Sequence, residues 1–268
     1  MRFDYHVLSV EVDGVVDTLA VHTAYVAGGH DGVYLRVARS ARLRDLEFLR
    51  DLPGLRYIEV LGPVVDDSAA LRISGVVEVC LLTRCKKALP ELSGSTVSKL
   101  GLDSRPGLEQ VAVMGLDEFR VWGWRGTDFT FLGDQPRLRR LKVEATRRLV
   151  SLEGLQHCPQ LEYVELLAVR ATALTPLAEA HRLQHLWIIG NSRITGEATL
   201  DLADLADLPE LTELRICFGR AIATLAPLTG PLGRHLRDFR IRGTRVSDGD
   251  LSPLQALHPA ARVVGPDD

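Results

Sequence analysis

The stretch Leu152-Glu-Gly-Leu155-Gln-His-Cys-Pro159-Gln-Leu161-Glu-Tyr-Val164-Glu-Leu166 decides the fold of this chain. Its end alternates apolar and polar residues at Val164 and Leu166, which is the period of a strand with one buried face. Pro159 stands shortly before this strand, where it ends a turn or short helix and favours extended backbone. The stretch therefore predicts a turn or short helix followed by a short strand.

The apolar pair that ends this stretch returns along the chain with first members 19 to 28 residues apart. A repeat of this size is typical of a solenoid, in which each turn buries its apolar face against its neighbours. It predicts one elongated domain. The pairs are Leu35/Val37, Ile58/Val60, Val79/Leu81, Leu100/Leu102, Phe119/Val121, Leu141/Val143, Val164/Leu166, Leu186/Ile188, Leu214/Ile216 and Phe239/Ile241.

The recurring L-x-x-L-x-L unit resembles the leucine-rich repeat family, and within it the bacterial internalin-like class with repeats of about twenty-two residues. The resemblance implies an α/β solenoid: a horseshoe with a parallel concave β-sheet of about ten strands and short helices or irregular turns on the convex side. The family usually places Asn or Cys three residues after each pair, where the side chain ties adjacent turns together. Only Asn191 fits here, while Arg84, Arg105 and Trp124 are among the replacements. We therefore expect irregular curvature.

Residues 1–31 do not follow the repeat and predict an N-terminal β cap, in which Tyr5 to Val12 forms a strand and Asp13-Gly14 a hairpin turn. Residues 32–265 are predicted to form a single continuous repeat domain, and residues 266–268 a tail.

Two segments interrupt the repeat. Leu108 to Met114 alternates and predicts an additional strand on the convex side, whereas Thr199 to Leu208 has apolar residues three apart and predicts a short amphipathic helix there. Near the end, Ala260 to Val264 predicts a degenerate last strand.

Composition excludes several classes of function. The net charge of −3 over 268 residues is too small to drive general nucleic-acid or membrane binding. Residues 1–10 lack the basic start and apolar core of a secretory signal, which predicts a cytoplasmic protein. The four cysteines stand at unrelated spacings and predict free thiols rather than a disulfide framework or zinc site. Phosphate-loop, nucleophile-elbow and His-Glu-x-x-His motifs do not occur, so we expect neither metal nor cofactor.

Residues before, between and after the two members of each apolar pair are predicted to form three exposed columns on the concave sheet. On neighbouring strands these columns combine aromatic and aliphatic side chains with arginines, and an exposed Trp beside arginines is typical of a protein-binding hot spot. The alternative is that Trp187 packs under a loop and the arginines pair with Glu213 and Asp238. The predicted partner-binding residues are Trp122, Tyr163, Leu167, His185, Trp187, Ile189, Arg215, Arg240 and Arg242.

These features favour a non-enzymatic module that binds a protein or peptide with an acidic, partly apolar surface. An adaptor, an inhibitor or immunity protein, and a partner that presents a substrate all fit, and the oligomeric state is left open. A second hypothesis is an enzyme with an acid-base site at Glu144, Glu165 and His185, which are predicted on three successive strands. Nucleic-acid binding through the arginines is disfavoured because Glu213 and Asp238 interrupt them.

Overall fold

The computed structural model describes residues 5–41, 43–146, 149–171, 173–190, 199–217, 221–230, 235–242 and 262–264. The chain divides into two compact units, Met1–Trp122 and Gly123–Asp268, called here the N-terminal unit and the C-terminal unit.

The N-terminal unit contains β1 (Val7–Val12), α1 (Thr18–Ala27), β2 (Gly32–Val37), β3 (Leu43–Asp45), β4 (Tyr57–Leu61), β5 (Val64–Asp66), β6 (Glu78–Leu82), β7 (Lys99–Asp103) and β8 (Glu118–Trp124), of which the last two residues fall in the C-terminal unit. In the described part, β1, β2, β4, β6, β7 and β8 pair in this order, all in parallel. Strands β3 and β5 form a separate parallel pair. Short 3-10 helices occupy Glu47–Asp51, Ser68–Arg72 and Leu108–Val113.

The C-terminal unit repeats this plan with β9 (Arg140–Ala145), β10 (Leu149–Val150), β11 (Tyr163–Leu167), β12 (Arg170–Ala171), β13 (His185–Ile189), β14 (Thr199–Leu200), β15 (Glu213–Cys217), β16 (Ala221–Ile222), β17 (Asp238–Arg242) and β18 (Arg262–Val264). Strands β9, β11, β13, β15, β17 and β18 pair in parallel in this order. The last of them confirms the predicted terminal strand. Short 3-10 helices lie at Thr130–Leu132, Leu155–His157, Thr175–Leu177, Ala203–Leu205 and Ala226–Thr229.

The apolar pairs read from the sequence form the core of each unit. Val164 lies opposite Leu141 on one side and Leu186 on the other, so equivalent members of successive repeats stand in register. All three side chains are fully buried. Each strand therefore buries its pair against the next strand, and the spacing read from the sequence correctly predicted this register.

The first pair is an exception. Leu35 lies opposite Val60, and Val33 lies opposite Ile58, so the pair of β2 that continues the ladder is Val33/Leu35 and not Leu35/Val37. The prediction was wrong because three apolar residues alternate here, and both pairs fit the pattern. In consequence Arg36 lies opposite Leu61, whereas the pair Leu35/Val37 would have placed it opposite Glu59, one column away.

The predicted hairpin at Asp13-Gly14 is wrong. Strand β1 runs parallel to β2, and parallel strands need a crossover instead of a tight turn. Helix α1 makes this crossover, and the Asp17 side chain caps it by accepting from the Ala20 N–H at 2.9 Å. The boundaries proposed at residues 31 and 265 stay predictions.

The two interrupting segments also differ from expectation. Leu108–Val113 forms a 3-10 helix and not a strand, because its buried residues Leu108 and Val111 are three apart. In the segment Thr199 to Leu208, a two-residue strand precedes a single 3-10 turn at Ala203–Leu205, in place of a continuous amphipathic helix.

A buried ion pair joins turns in the N-terminal unit, where the family would use amides. Arg105 Nη1 donates to Asp67 Oδ1 at 2.6 Å, and the two side chains are only 4% and 2% exposed. The Thr83 hydroxyl donates to the other Asp67 oxygen. These residues follow β7, β5 and β6, so the pair ties three successive turns. Asn191 lies outside the described residues.

Candidate functional site

The C-terminal unit presents a continuous aromatic and charged array on one face of its sheet. Alternate side chains of neighbouring strands share a face, and the register places them side by side. We call the following set the aromatic–cation surface: Lys142, Tyr163, Glu165, His185, Trp187, Glu213, Arg215, Asp238 and Arg240.

Aromatic rings form the centre of this surface. The Tyr163 ring centroid lies 5.5 Å from that of Trp187 and 5.6 Å from that of His185, with tilted planes in both cases. Such tilted pairs stabilise each other beyond the burial of their area. Of the residues predicted from the sequence, Tyr163 therefore contacts both His185 and Trp187.

A cation lies against each end of the Tyr163–Trp187 pair. The Arg215 guanidinium carbon is 4.0 Å from the Trp187 ring centroid, and Lys142 Nζ is 5.0 Å from that of Tyr163. Each contact contributes about 0.5–2 kcal/mol, depending on how far it is desolvated. The result is an ordered row of ammonium, phenol, indole and guanidinium across four strands.

Carboxylates fix this row in place. Trp187 Nε1 donates to Glu213 Oε2 at 3.1 Å, and Arg215 Nη2 donates to Asp238 Oδ2 at 2.7 Å. Arg240 donates to both oxygens of Asp238, from Nε at 2.9 Å and from Nη2 at 3.0 Å. The salt bridges considered as the alternative to binding thus do form, and they leave the indole and the guanidiniums on the sheet face.

In two ion pairs of this surface the carboxylate is less exposed than its cation, whereas Glu213, at 26%, is more exposed than Arg215, at 20%. Lys142 is 38% exposed and its partner Glu165 13%, while Arg240 is 32% exposed and Asp238 16%. Solvent therefore meets the positive member of each of these pairs first. An anionic surface approaching this face is attracted by the outer charges before it feels the inner ones.

This packing shifts the pKa values of two titratable groups, Asp238 and Tyr163. Burial opposes ionisation of Asp238, but hydrogen bonds from Arg240 and Arg215 outweigh it and hold the pKa of this carboxyl below its usual value. Burial, together with the hydrogen bond to Glu165, raises the pKa of the Tyr163 phenol. The carboxylate is therefore ionised and the phenol protonated at neutral pH, which keeps both hydrogen bonds in place.

The aliphatic part of the predicted site lies along the end of the same strands. Leu167 and Ile189 are opposite each other and half-buried, and Cys217 continues the column. Arg242 ends β17, and its side chain lies outside the described residues. Leu167 and Ile189 thus extend the aromatic–cation surface with apolar area.

The three residues of the enzymatic alternative stand in three different columns. Glu144 is opposite Leu167, Glu165 is opposite Trp187, and His185 is opposite Tyr163. Glu165 accepts from the Tyr163 hydroxyl at 2.8 Å and lies 2.8 Å from Lys142 Nζ. Among the described residues, no hydrogen bond or ion pair joins any two of Glu144, Glu165 and His185. The Glu165 carboxylate is therefore held by Tyr163 and Lys142 and not by the other two residues of that hypothesis.

Trp122, the remaining predicted residue, belongs to the N-terminal unit and lines a groove of about 820 Å³ there. Its ring lies over Gly101 of the adjacent strand, since a Cβ built on Gly101 would stand 3.1 Å from the indole. The other residues that line the groove are Glu11, Arg36, Val37, Ala38, Arg39, Leu61, Gly62, Pro63, Leu82, Arg84 and Asp103.

Two solved structures, an internalin and a leucine-rich repeat protein, have a similar fold. An internalin, InlF, from Listeria monocytogenes aligns over 87% of this chain and 74% of that protein, with 16% identity and a TM-score of 0.50. A leucine-rich repeat protein from Leptospira interrogans aligns over 89% of this chain and 72% of that protein, with 12% identity and a TM-score of 0.54.

The chain has the leucine-rich repeat fold. The predicted fold class, an α/β solenoid built from such repeats, is confirmed. No protein-family model and no curated protein sequence matches this chain.

The leucine-rich repeat pattern did not reveal the groove of the N-terminal unit. Arg36 was assigned to the wrong column because the pair of β2 was misplaced, and Arg39 and Arg84 lie in loops whose side-chain directions the repeat does not fix. One signal was present in the sequence: Val33, Leu35 and Val37 alternate, so a pair at Val33/Leu35 fits equally well.

Clusters suited to a metal ion and membrane-spanning helices are absent from the described part of the chain. No group of three or more His, Cys, Asp or Glu side chains there is arranged to hold a metal ion. No helix within those ranges has the length and apolar character needed to cross a bilayer.

Proposed function

We propose that this protein is a non-enzymatic binding module whose aromatic–cation surface holds an acidic, partly apolar region of a protein or peptide. The observation that carries the proposal is the row formed by Lys142, Tyr163, Trp187 and Arg215, in which two adjacent rings are flanked by a cation at each end across four neighbouring strands. Aromatic and arginine side chains supply most of the energy at protein interfaces.

Preorganisation supports this function. The Trp187 indole is held by Glu213, and the Arg215 and Arg240 guanidiniums are held by Asp238. Side chains that are already ordered lose little entropy when a partner docks, and each such side chain otherwise costs about 0.5–1.5 kcal/mol. The surface is thus built to bind without rearranging.

The sign of the exposed charge supports an acidic partner. Lys142 and Arg240 protrude beyond the carboxylates that pair with them, and Arg140 at the edge is also exposed. Leu167 and Ile189 add apolar area beside them. A partner with carboxylates around an apolar centre complements this arrangement.

The proposal includes the roles that the sequence favoured: an adaptor, an inhibitor or immunity protein, or a protein that presents a substrate. It also includes the cytoplasmic location and the bacterial source inferred from the sequence. Fractionation of the native cell with an antibody to this chain tests the location.

The decisive experiment compares three proteins as baits in the native cell extract: the wild type, the double variant Trp187→Ala/Arg240→Glu, and the control Arg182→Glu. Arg182 is exposed in the turn before β13 and is not part of the aromatic–cation surface. The control thus reverses a charge of the same unit without touching the proposed site. Circular-dichroism melts of all three proteins check that each is folded.

We expect wild type and control to retain the same partner and the double variant to lose it. Loss of a central tryptophan typically costs at least about 2 kcal/mol, which weakens binding about 30-fold. Affinity for the purified partner should also fall with rising salt, because exposed charges are screened. If the folded double variant binds that partner as tightly as the wild type does, the site lies elsewhere.

A further inference from the structure

We propose that the groove of the N-terminal unit binds an extended acidic peptide segment of a partner protein. This site is additional to the aromatic–cation surface and does not depend on it. The groove has a volume of about 820 Å³, which lies within the range of about 300–1,000 Å³ typical of ligand sites.

The floor of the groove is one column of the sheet. The register places Glu11 beside Arg36, Arg36 beside Leu61, and Leu61 beside Leu82. Asp103 and Trp122 continue the same column and are also paired with each other. Six strands about 4.8 Å apart give a floor about 24 Å long, enough for about seven extended residues.

The middle and one end of this floor are apolar. Leu61 and Leu82 are half-buried side by side, and the Trp122 ring lies over Gly101, where the missing side chain leaves room for it. In an extended peptide alternate side chains point the same way, so every second side chain can rest on this floor. The occupant therefore carries apolar residues at alternate positions.

The charges on the groove favour an anion. Arg36 pairs loosely with Glu11 at 3.7 Å, and Asp103 accepts the backbone N–H of Arg84 at 2.8 Å. Arg39 and Arg84 line the groove, are exposed, and have no ion-pair partner in the part of the chain that the structure describes. Carboxylates of the bound segment would form ion pairs with both arginines, in the bidentate geometry that a guanidinium favours.

Arg84 has a left-handed backbone with a φ of 54°, and so does Ala168, with a φ of 53°, directly after β11. This conformation therefore recurs in turns that follow strands of both units.

The test uses Trp122 as its reporter. In a Trp187→Phe background, the remaining tryptophans are Trp122, half-exposed in the groove, and Trp124, which is only 2% exposed. Three end-blocked hexapeptides are titrated while tryptophan emission is recorded: Glu-Leu-Glu-Leu-Glu-Leu, the charge-reversed Lys-Leu-Lys-Leu-Lys-Leu, and Glu-Ser-Glu-Ser-Glu-Ser without apolar side chains.

The matched variants are Arg39→Gln/Arg84→Asn and, as control, Arg44→Gln. Asparagine tolerates left-handed backbone better than most residues, so the charge at position 84 is removed without adding strain. Arg44 is exposed on β3 and does not line the groove.

We expect the Glu-Leu peptide to change Trp122 emission saturably, and the Arg39→Gln/Arg84→Asn pair to raise its Kd at least tenfold. The control should leave Kd unchanged, and the other two peptides should bind at least tenfold more weakly. The proposal is overturned if the Lys-Leu peptide binds equally well, if the double variant keeps the wild-type Kd, or if emission does not saturate up to about 1 mM peptide. Partner capture through Trp187 and Arg240 is measured independently of these titrations, so either proposal can be refuted without the other.

Discussion

Replacing Asp67 by asparagine is expected to destabilise the N-terminal unit severely. The substitution keeps the shape of the side chain and removes only the charge that compensates Arg105. Both side chains are almost fully buried, and Nε and Nη2 of Arg105 already have no acceptor. Breaking a buried pair by removing one partner leaves an uncompensated charge and costs about 3–5 kcal/mol.

A double-mutant cycle separates the charge effect from the loss of shape. Arg105→Met alone leaves a buried carboxylate, whereas Asp67→Asn/Arg105→Met leaves no buried charge and should recover most of the stability. Urea unfolding followed by far-UV circular dichroism measures the four free energies of unfolding. Asp51→Asn, at an exposed position, serves as control and should change the free energy by less than about 0.5 kcal/mol.

The reasoning would be refuted if Asp67→Asn lowered the free energy of unfolding by less than about 1 kcal/mol, which is the contribution of a solvent-exposed ion pair. It would also be refuted if the double variant were as unstable as the sum of the single variants, because the two charges would then not be coupled.

Three further outcomes are expected. Gly62→Ala should cost more than about 3 kcal/mol in urea unfolding, because φ is 108° and the new Cβ would stand 2.0 Å from the Val37 carbonyl oxygen. Asp66→Asn should destabilise at pH 7 and not near pH 2, because a hydrogen bond from a lysine lowers the pKa of Asp66 to about 2. Cys80 and Cys158 should stay unlabelled by iodoacetamide at pH 8 in the native protein, because burial raises the pKa of each thiol to about 12.

Each of these outcomes has its own check. At Gly54 φ is 70° and no atom lies within 4 Å of an added Cβ, so Gly54→Ala should cost only about 1–2 kcal/mol. An equal cost at both glycines would show that the clash at Gly62 does not determine the loss of stability. Because the pKa of Asp66 is lower in the folded state, its ionised carboxylate stabilises the protein above the unfolded pKa of 3.8, and this stabilisation is lost as the pH falls through 2. If Asp66→Asn cost the same free energy at both pH values, the hydrogen bond from Lys87 would not have this role. Mass spectrometry locates the label, and rapid native labelling of Cys80 would show that its thiol is not desolvated.

Much of the candidate site was predictable because the repeat sets the register. Once Tyr163, Trp187 and Arg215 were assigned to successive strands, their proximity followed from the spacing of parallel strands. The sequence also raised the pairing of the arginines with Glu213 and Asp238, but only as an alternative to binding. The structure shows that both pairings form, with Asp238 less exposed than Arg240 and Glu213 slightly more exposed than Arg215.

The grouping of Glu144, Glu165 and His185 was less predictable. The sequence placed them on neighbouring strands and in neighbouring columns, but a contact also requires side chains that are free to turn toward one another. Tyr163 and Lys142 occupy Glu165, and a pattern of apolar residues carries no information about such partners.

The sequence by itself determined the leucine-rich repeat fold, because apolar alternation of period two and a repeat of fixed length are local properties that specify which face of each strand is buried. The tertiary structure alone decided the pairing of Asp67 with Arg105, which are 38 residues apart, and the groove that Arg36, Arg39, Arg84 and Trp122 line together. The physical reason is that these contacts depend on where turns and exposed side chains come to lie in space, and neither is constrained by the burial of the repeat.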